Sequence, residues 1–280
     1  MTKIIDGKAL AKGIRDGLAG EVLRLKEKRK ITPRLCVLLA GEDPASQLYV
    51  RNKQRGCAEV GMLSDVLRFS ASASQKELIA KVRELNNDKS VHGILVQLPL
   101  PTGIDAIAVL NEINPDKDVD GLHPLNLGKL LKGEKPPFLP CTPQGIVELV
   151  LSTGISIQGK EVVIVGRSNI VGKPAALLFL QHHATVTICH SKTADLGAVT
   201  RRADILVAAV GSPGIIHGDM VKDGAVVIDV GTNRVGDKFV GDVDFESVKD
   251  RVAFITPVPG GVGPMTIAML LKNTVEAAKR

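Results

Sequence analysis

The run Val162-Val163-Ile164-Val165-Gly166-Arg167-Ser168-Asn169-Ile170-Val171-Gly172-Lys173-Pro174 begins as an uninterrupted apolar segment, stops at a glycine and continues as a predicted helix. A parallel strand reads as continuous Val and Ile because both of its faces are buried. Glycines in the turn that follows allow the backbone to approach a pyrophosphate at the N-terminus of the helix. The segment therefore predicts a nucleotide-binding strand, loop and helix, with Gly166 and Gly172 as the required glycines.

This loop matches the usual Gly-x-Gly-x-x-Gly pattern only in part, because Arg167 and Ser168 stand where a second glycine would allow the closest approach. Taken alone, it is also consistent with an ordinary corner between a strand and a helix. Further strands are predicted at residues 204–210, 225–230 and 252–256. Each ends in a turn rich in Gly or Pro, as ligand-facing strand ends do in an open α/β sheet.

The choice of nucleotide depends on the strand predicted at residues 185–190. Its end is where an NAD-dependent enzyme places an acidic residue on the ribose hydroxyl, but this chain has His190-Ser191-Lys192 there. No carboxylate would repel a 2′-phosphate, Ser191 can donate a hydrogen bond, and Arg167 or Lys192 can supply positive charge. The pattern favours NADP over NAD, although Lys192 is also consistent with a solvated loop lysine.

Composition limits the classes of function without selecting one. The 280 residues, 44% of them hydrophobic, suffice for two domains with a sizeable core. The net charge of +6 favours anionic ligands, but the basic residues are scattered and aromatic residues make up only 2%, which argues against a nucleic-acid surface. The 4 Cys and 6 His show neither metal-ligand spacing nor a disulfide framework, so we expect no metal and free thiols.

Two further features of the chain bear on its location. Residues 1–6 lack an apolar signal segment, and no apolar run is long enough to span a bilayer. Together with the expected free thiols, this predicts a cytoplasmic protein with no membrane partner.

Strands and helices also alternate in the first half, which predicts a second α/β unit. Predicted helices cover residues 9–28, 44–60 and 75–86, and predicted strands cover residues 34–40, 64–69 and 93–97. Loop composition places a linker at residues 132–137. The predicted fold class is α/β, with one domain at residues 1–138, completed by a C-terminal helix at 266–280. The second domain, at residues 139–265, is expected to be Rossmann-like with a parallel sheet.

Tyr49 and Lys53 carry the first chemical signal of this half. They are four residues apart on a predicted helix and so share one face. A lysine that faces a ligand there can act as a proton shuttle when burial lowers its pKa; an exposed lysine beside a partly buried tyrosine is the alternative. The Tyr-x-x-x-Lys motif of short-chain reductases does not apply, because that motif follows the nucleotide loop within one domain.

A second signal is the segment Gln97-Leu98-Pro99-Leu100-Pro101, in which two prolines close a predicted strand. Prolines fix the backbone and could orient Gln97 toward a ligand. An ordinary strand-terminating loop remains the alternative.

Six segments, in this order, resemble the bifunctional methylenetetrahydrofolate dehydrogenase/cyclohydrolase family. They are PASQLYVRNK at 44–53, QLPLP at 97–101, DKDVDG at 116–121, PCTP at 140–143, GRS at 166–168 and PVPGGVGPMT at 257–266. The resemblance covers essentially the whole chain and is far more specific than the glycine loop alone.

The resemblance implies a role for each matching residue. It implies that the folate lies in a cleft between two α/β domains, that Lys53 is the acid/base group and that Gln97 hydrogen-bonds it and tunes its protonation. Tyr49 would stack on the folate rings, and Asp120 would accept hydrogen bonds from the pterin amino edge, although Asp120 also lies in good turn sequence. Further implied substrate contacts are Leu98, Pro259, Gly260 and Gly261. Implied NADP contacts are Thr142, Gly166, Arg167, Ser168, Val171, Gly172, Pro174, Ser191 and Thr232.

One position departs from the family pattern. Thr232 stands where these enzymes more often carry isoleucine beside the cofactor, which bears on cofactor affinity rather than on reaction type.

The implied reaction is oxidation of 5,10-methylenetetrahydrofolate with NADP, followed by hydrolysis of the methenyl product to 10-formyltetrahydrofolate. Hydride transfer chiefly needs positioning, whereas hydration and ring opening move protons, for which Lys53 is placed. The resemblance also implies tetrahydrofolate one-carbon derivatives as ligands, a homodimer through the nucleotide domain, and a place in one-carbon metabolism that includes purine biosynthesis.

Three other classes of function stay open at this point. A monofunctional NAD(P)-dependent methylenetetrahydrofolate dehydrogenase would be expected to lose or alter the site of Lys53 and Gln97. A non-catalytic NADP sensor could share the fold but has no reason to carry the first-half motifs together. A nucleic-acid-binding module is supported by the net charge alone.

Overall fold

A computed structural model describes residues 1–236 and 238–280, which form two compact units. The first, here called the lysine unit, consists of Lys12–Cys141 and Ile267–Arg280. The second, here called the glycine-loop unit, consists of Met1–Ala11 and Thr142–Thr266.

The secondary structure alternates strands and helices along both halves of the chain. The strands are β1 (Lys3–Ile4), β2 (Arg34–Ala40), β3 (Leu63–Phe69), β4 (Gly93–Val96), β5 (Glu161–Val165), β6 (Thr185–Cys189), β7 (Ile205–Ala208), β8 (Val226–Asp229), β9 (Asn233–Val235), β10 (Lys238–Val240) and β11 (Phe254–Ile255). The helices are α1 (Gly7–Arg29), α2 (Pro44–Glu59), α3 (Gln75–Asn87), α4 (Ala106–Asn111), α5 (Pro124–Leu131), α6 (Cys141–Leu151), α7 (Gly172–Gln181), α8 (Leu196–Thr200), α9 (Phe245–Val248) and α10 (Val262–Lys279), with a short 3₁₀ turn at Gly218–Met220.

The lysine unit is built on a parallel sheet in the order β3-β2-β4. Strand β2 lies in the centre and its residues 35–40 are buried, because both of its edges are paired and both of its faces are covered. Helix α3 contributes Leu78, Val82 and Leu85 to the core of this unit. Since the strands are parallel, their carboxyl ends meet at one edge, and α2 starts just beyond that edge.

The glycine-loop unit is built on a six-stranded sheet in the order β1-β11-β8-β7-β5-β6, in which every neighbouring pair is parallel. Strand β5 lies between β6 and β7, so the chain adds strands first on one side of β5 and then on the other. This reversal is a topological switch point, where open α/β sheets bind ligands at the carboxyl ends of their strands. The loop of residues 166–171 follows β5 and therefore lies at this point.

The α/β fold class with a parallel sheet is confirmed, but the division of the chain differs from the predicted one in two places. Strand β1 pairs in parallel with β11, so Met1–Ala11 belongs to the glycine-loop unit instead of the first domain. The change of unit comes after Cys141, beyond the predicted linker. Just before it, the carbonyl of Leu139 accepts a hydrogen bond from the side chain of Asn273 in α10.

The sequence predicts no membrane-spanning helix, no metal site and free thiols, and the structure bears on each. Within residues 1–236 and 238–280, no helix is long and apolar enough to cross a membrane. The same residues contain no group of three or more His, Cys, Asp or Glu side chains arranged to hold a metal ion. All four cysteines are buried and free.

Candidate active site

Lys53 and Gln97 are hydrogen-bonded to each other in the lysine unit. Asp43 caps α2 by accepting the backbone N–H of Ser46 at 2.7 Å, and Lys53 follows in the third turn of that helix. Its Nζ donates to Gln97 Oε1 at 2.9 Å. Gln97 follows β4, and its Nε2 donates to the carbonyl of Leu98 at 2.7 Å. Because that bond fixes which end of the amide is the NH₂, the carbonyl oxygen of Gln97 faces the lysine.

The burial of Lys53 disfavours its charged form relative to that of an exposed lysine. Burial lowers the pKa of Lys53 below the ordinary lysine value, and the nearby carboxyl of Asp120 and thiol of Cys141 raise it by less. A lysine whose pKa is lowered toward neutrality can both accept and donate a proton during a reaction. Lys53 therefore has the electrostatic setting that a proton shuttle needs.

Asp120 shares this setting with Lys53. Burial raises the pKa of Asp120, while Lys53 and a hydrogen bond with Cys141 lower it by less. The next residue, Gly121, has a φ of +77°, and a Cβ there would overlap the backbone of Leu139 and Pro140. Glycine is needed at that position for both reasons, which holds the Asp120 backbone against the segment that precedes α6.

Asp118, and not Asp120, performs the turn function that the sequence Asp118-Val119-Asp120-Gly121 suggests. It is buried, and its carboxyl accepts N–H groups from Leu122 at 3.2 Å, His123 at 2.8 Å and Asn126 Nδ2 at 2.8 Å. Burial raises the pKa of Asp118 to about 6. Asp118 therefore supports the loop, and the carboxyl of Asp120 takes no part in these hydrogen bonds.

Asn273 and Cys141 complete this corner of the lysine unit, and the sequence interpretation did not include either in the site. Asn273 Nδ2 donates to the carbonyl of Val119 at 2.8 Å and to that of Leu139 at 3.0 Å. Cys141 Sγ donates to the carbonyl of Val119 at 3.2 Å. Asn273 is buried, but the sequence carries no signal of this, because the carbonyls that its amide binds lie 154 and 134 residues away in the chain.

The remaining predicted substrate residues lie in both units. Tyr49 is 40% exposed and lies one turn before Lys53 on α2. Leu98 is half-buried beside Gln97. Pro259, Gly260 and Gly261 belong to the glycine-loop unit. Pro259 and Gly260 line a cavity of about 330 Å³ there, whose other walls are Ile4, Asp6, Lys8 and Pro257.

The glycines of the loop after β5 were predicted to let its backbone approach a pyrophosphate. In the structure, Gly166 and Gly172 lie close to backbone carbonyls of the protein itself. Gly166 has a φ of +133°, and a Cβ there would overlap the carbonyl of Ala209. A Cβ on Gly172 would overlap the carbonyl of Gly166. Ser168 Oγ accepts the N–H of Val171 at 3.1 Å and that of Gly172 at 3.3 Å, which satisfies two backbone donors just at the start of α7.

The other predicted cofactor residues lie at the surface or support the loop. Arg167, Ser168, Ser191 and Lys192 have exposed side chains, so the positive charge near this loop is available to a phosphate. Thr232 is also exposed. Pro174 is buried in the first turn of α7, while Thr142 Oγ1 shares a hydrogen bond of 2.9 Å with Thr266 Oγ1. A glycine corner at the switch point with exposed cationic side chains fits a dinucleotide phosphate.

Two family models match the chain, one for each half. Residues 5–120 match the model described as "Tetrahydrofolate dehydrogenase/cyclohydrolase, catalytic domain", and residues 140–280 match the "Tetrahydrofolate dehydrogenase/cyclohydrolase, NAD(P)-binding domain". The chain belongs to the tetrahydrofolate dehydrogenase/cyclohydrolase family. The resemblance inferred from the six sequence segments is thereby confirmed.

Individual relatives match this chain over nearly their full length. The "Bifunctional protein FolD" of Exiguobacterium sibiricum is 60% identical over 279 residues, with 100% of both chains covered. A crystal structure of the bifunctional enzyme FolD from Campylobacter jejuni is 49% identical with a TM-score of 0.98, and the match covers 100% of this chain and 99% of that one. The Trypanosoma brucei enzyme, solved in complex with NADP cofactor and inhibitor, is 42% identical with a TM-score of 0.96, over 100% of this chain and 98% of that one.

These comparisons decide between the function classes left open by the sequence. The chain is a bifunctional tetrahydrofolate dehydrogenase/cyclohydrolase, whose first half is the catalytic domain of the family and whose second half is its NAD(P)-binding domain. Nothing in the comparisons supports the alternative of a monofunctional dehydrogenase.

Proposed function

We propose that this chain oxidises 5,10-methylenetetrahydrofolate with NADP and hydrolyses the resulting 5,10-methenyltetrahydrofolate to 10-formyltetrahydrofolate. The observation that carries the proposal is the hydrogen bond of 2.9 Å between Lys53 Nζ and Gln97 Oε1, at a lysine whose pKa is lowered by burial. This pair lies in a chain whose two halves match the catalytic and the NAD(P)-binding domains of the family.

In the proposed assignment, the lysine unit carries the folate chemistry and the glycine-loop unit carries NADP. Bound NADP would supply the hydride acceptor for oxidation of the methylene carbon of the folate. Arg167, Ser191 and Lys192 would hold the 2′-phosphate, because their exposed side chains offer charge and hydrogen-bond donors. Thr142, Val171, Pro174 and Thr232 are proposed as further cofactor contacts or supports, together with Gly166, Ser168 and Gly172.

The protein supplies proton transfer to the hydrolysis of the methenyl cation. Neutral Lys53 accepts a proton from the water that adds to the cationic carbon. When the ring opens, the bond from that carbon to one ring nitrogen breaks, and the Lys53 ammonium donates a proton to the nitrogen while the carbinol hydroxyl loses its own. The sum is one water consumed and one proton released. Gln97 keeps the amine oriented, since its amide oxygen accepts from Nζ.

Tyr49 and Asp120 are proposed to hold the substrate. Tyr49 offers an exposed aromatic face on the same side of α2 as Lys53, which suits stacking on the pterin. Asp120 offers a carboxyl that the turn does not use, which suits the adjacent N–H donors of the pterin edge. Leu98, Pro259, Gly260 and Gly261 are proposed as further substrate contacts.

One spectrophotometric experiment tests both activities. The purified protein is mixed with 5,10-methylenetetrahydrofolate and either NADP or NAD, and the absorbance of the methenyl product is followed. We expect NADP to support its formation better than NAD, and a separate sample of methenyltetrahydrofolate to decay faster with enzyme than without it. A protein that forms the methenyl product but does not accelerate its decay would be the monofunctional alternative.

We further propose a homodimer through the glycine-loop unit, a cytoplasmic location, and a supply of 10-formyltetrahydrofolate to purine biosynthesis. The family resemblance supports all three. For the dimer, β6 is an edge strand of the six-stranded sheet, and Ile188 on it is 39% exposed; edge strands are protected by pairing or cover. Light scattering of the eluted protein should give twice the mass of the chain, and a monomer mass would contradict the dimer.

A further inference from the structure

A fully buried carboxylate, Asp242, organises the loop that follows β7. It has no exposed surface. Its oxygens accept the backbone N–H groups of Val210 at 2.6 Å, Gly211 at 2.9 Å and Ser212 at 2.9 Å, and the side-chain N–H of Asn233 at 2.9 Å. Three successive backbone donors that point at one acceptor form an anion-binding nest, and here the anion is supplied by the protein.

A second buried carboxylate, Asp229 at the end of β8, holds Asp242 in place. It accepts the backbone N–H groups of Gly231 at 3.0 Å, Asp242 at 2.9 Å and Val243 at 3.0 Å. The chain leaves room for both carboxylates: a Cβ on Gly231 would overlap the carboxylate of Asp242, and a Cβ on Gly241 would overlap that of Asp229. Gly231 and Gly241 therefore leave the space that the carboxylates of Asp242 and Asp229 occupy.

The loop held by Asp242 lies directly against the glycine corner of β5. Ala209, which starts the loop, donates its N–H to the carbonyl of Val165 at 2.7 Å. Its own carbonyl occupies the space that a Cβ of Gly166 would need. Residues 210–212 are exposed, so the loop forms part of the ligand-facing edge at the switch point, where β5 and β7 lie side by side.

The hydrogen bonds to Asp242 hold the backbone of residues 210–212, which are small and exposed. Hydrogen bonds to an ionised acceptor are shorter and about twice as strong as those between neutral groups, and burial strengthens them further. Without the carboxylate, the N–H groups of residues 210–212 would turn toward water. The carbonyl of Ala209 would then no longer be fixed against Gly166.

We propose that Asp242 is a positioning residue for NADP: it fixes residues 209–212 against Gly166 and thereby sets the affinity for the cofactor, without touching the folate. The inference rests on the proposed NADP site. It gives Asp242 an effect on one of the two activities only, because hydrolysis of the methenyl cation needs no NADP.

Asp242→Asn tests this inference, since the amide keeps the volume but places an NH₂ group against backbone N–H donors. We expect the KM for NADP, and the Kd for NADPH measured from the fluorescence of NADPH itself, to rise about tenfold or more. The kcat of the dehydrogenase should change by less than about threefold and the kcat/KM of the cyclohydrolase by less than about twofold, because Lys53, Gln97 and Asp120 belong to the lysine unit.

Asp244→Asn is the matched control. Asp244 lies two residues further on and caps α9 at the surface. Its replacement by asparagine removes one carboxylate, as Asp242→Asn does. The KM for NADP, the Kd for NADPH, the kcat of the dehydrogenase and the kcat/KM of the cyclohydrolase should all stay within about twofold of those of the unaltered protein.

The outcomes separate this inference from the proposed function. If the unaltered protein has no NADP-dependent activity, the proposed function fails. If it is active but folded Asp242→Asn keeps its NADPH Kd within about twofold, or loses both activities in parallel, the positioning role is refuted. Should Asp242→Asn fail to fold, Asn233→Ala removes one donor to Asp242; an NADPH Kd raised by about threefold supports the inference, and an unchanged Kd refutes it.

Discussion

Asn273→Leu is expected to destabilise the protein and to weaken folate binding together. Asn273 Nδ2 is shared between the carbonyls of Val119 and Leu139, at 2.8 and 3.0 Å, and the residue is 5% exposed. Leucine preserves the volume but removes both hydrogen bonds. A buried acceptor left without a partner costs about 1–3 kcal/mol, and the carbonyl of Val119 keeps only the weak thiol donor of Cys141. The expected loss is therefore about 2–4 kcal/mol in the free energy of unfolding.

Urea unfolding followed by circular dichroism measures this loss. Because Val119 precedes Asp120, we also expect the KM for both folate substrates to rise while the KM for NADP stays unchanged, the converse of the pattern for Asp242→Asn. Asn87→Leu is the control, since Asn87 Nδ2 bonds the carbonyl of Arg83 at an exposed site; it should change the stability by less than about 0.5 kcal/mol. Equal effects of the two substitutions would refute the reasoning.

Three further predictions concern the pH dependence, the glycine corner and the choice of cofactor. Burial raises the pKa of Asp118 to about 6, so the native state binds its proton more tightly than the unfolded state, and the stability that this proton confers is lost as the pH rises through about 6. The free energy of unfolding of the unaltered protein relative to Asp118→Asn should thus fall by up to about 3 kcal/mol between about pH 4 and pH 7 in urea titrations, and a flat difference would contradict this. Gly166→Ala should cost about 1–3 kcal/mol in thermal unfolding and weaken NADPH binding, because a Cβ would overlap the Ala209 carbonyl at a φ of +133°; the control Gly13→Ala, in open space on α1, should stabilise by about 0.5–1 kcal/mol. Lys192→Gln should raise the KM for NADP but not for NAD in the dehydrogenase assay, and an equal change for both would show that Lys192 does not meet the 2′-phosphate.

The sequence predicts well those elements whose own residues indicate that they are buried or where they begin. Strand β2 was predicted at residues 34–40 and is found at Arg34–Ala40, because a parallel strand covered on both faces must be apolar throughout. Helix α2 was predicted to start at Pro44, a residue that the first turn of a helix accepts. Strand β1 carries no such signal, since it has two residues and its partner, β11, lies about 250 residues away.

The candidate site also contains residues that the sequence indicated and residues that it did not. The resemblance placed Lys53 beside Gln97, and the structure contains that hydrogen bond, while the roles of these residues in catalysis stay predictions. Asn273 and Asp242 could not be singled out, because one asparagine in an apolar helix and one aspartate after a glycine read as ordinary solvent-facing residues. Their hydrogen bonds join them to backbone groups up to 154 residues away, which only the folded chain brings together.

The most direct test of the central claim, that Lys53 moves the protons of methenyl hydrolysis, is the rate of cyclohydrolysis by Lys53→Met. Methionine keeps the length of the side chain but removes the amine, and Lys76→Met, at an exposed position in α3, is the control. We predict that Lys53→Met loses the cyclohydrolase activity and binds NADPH with an unchanged Kd, while Lys76→Met retains both. Cyclohydrolase activity retained by folded Lys53→Met would contradict the claim.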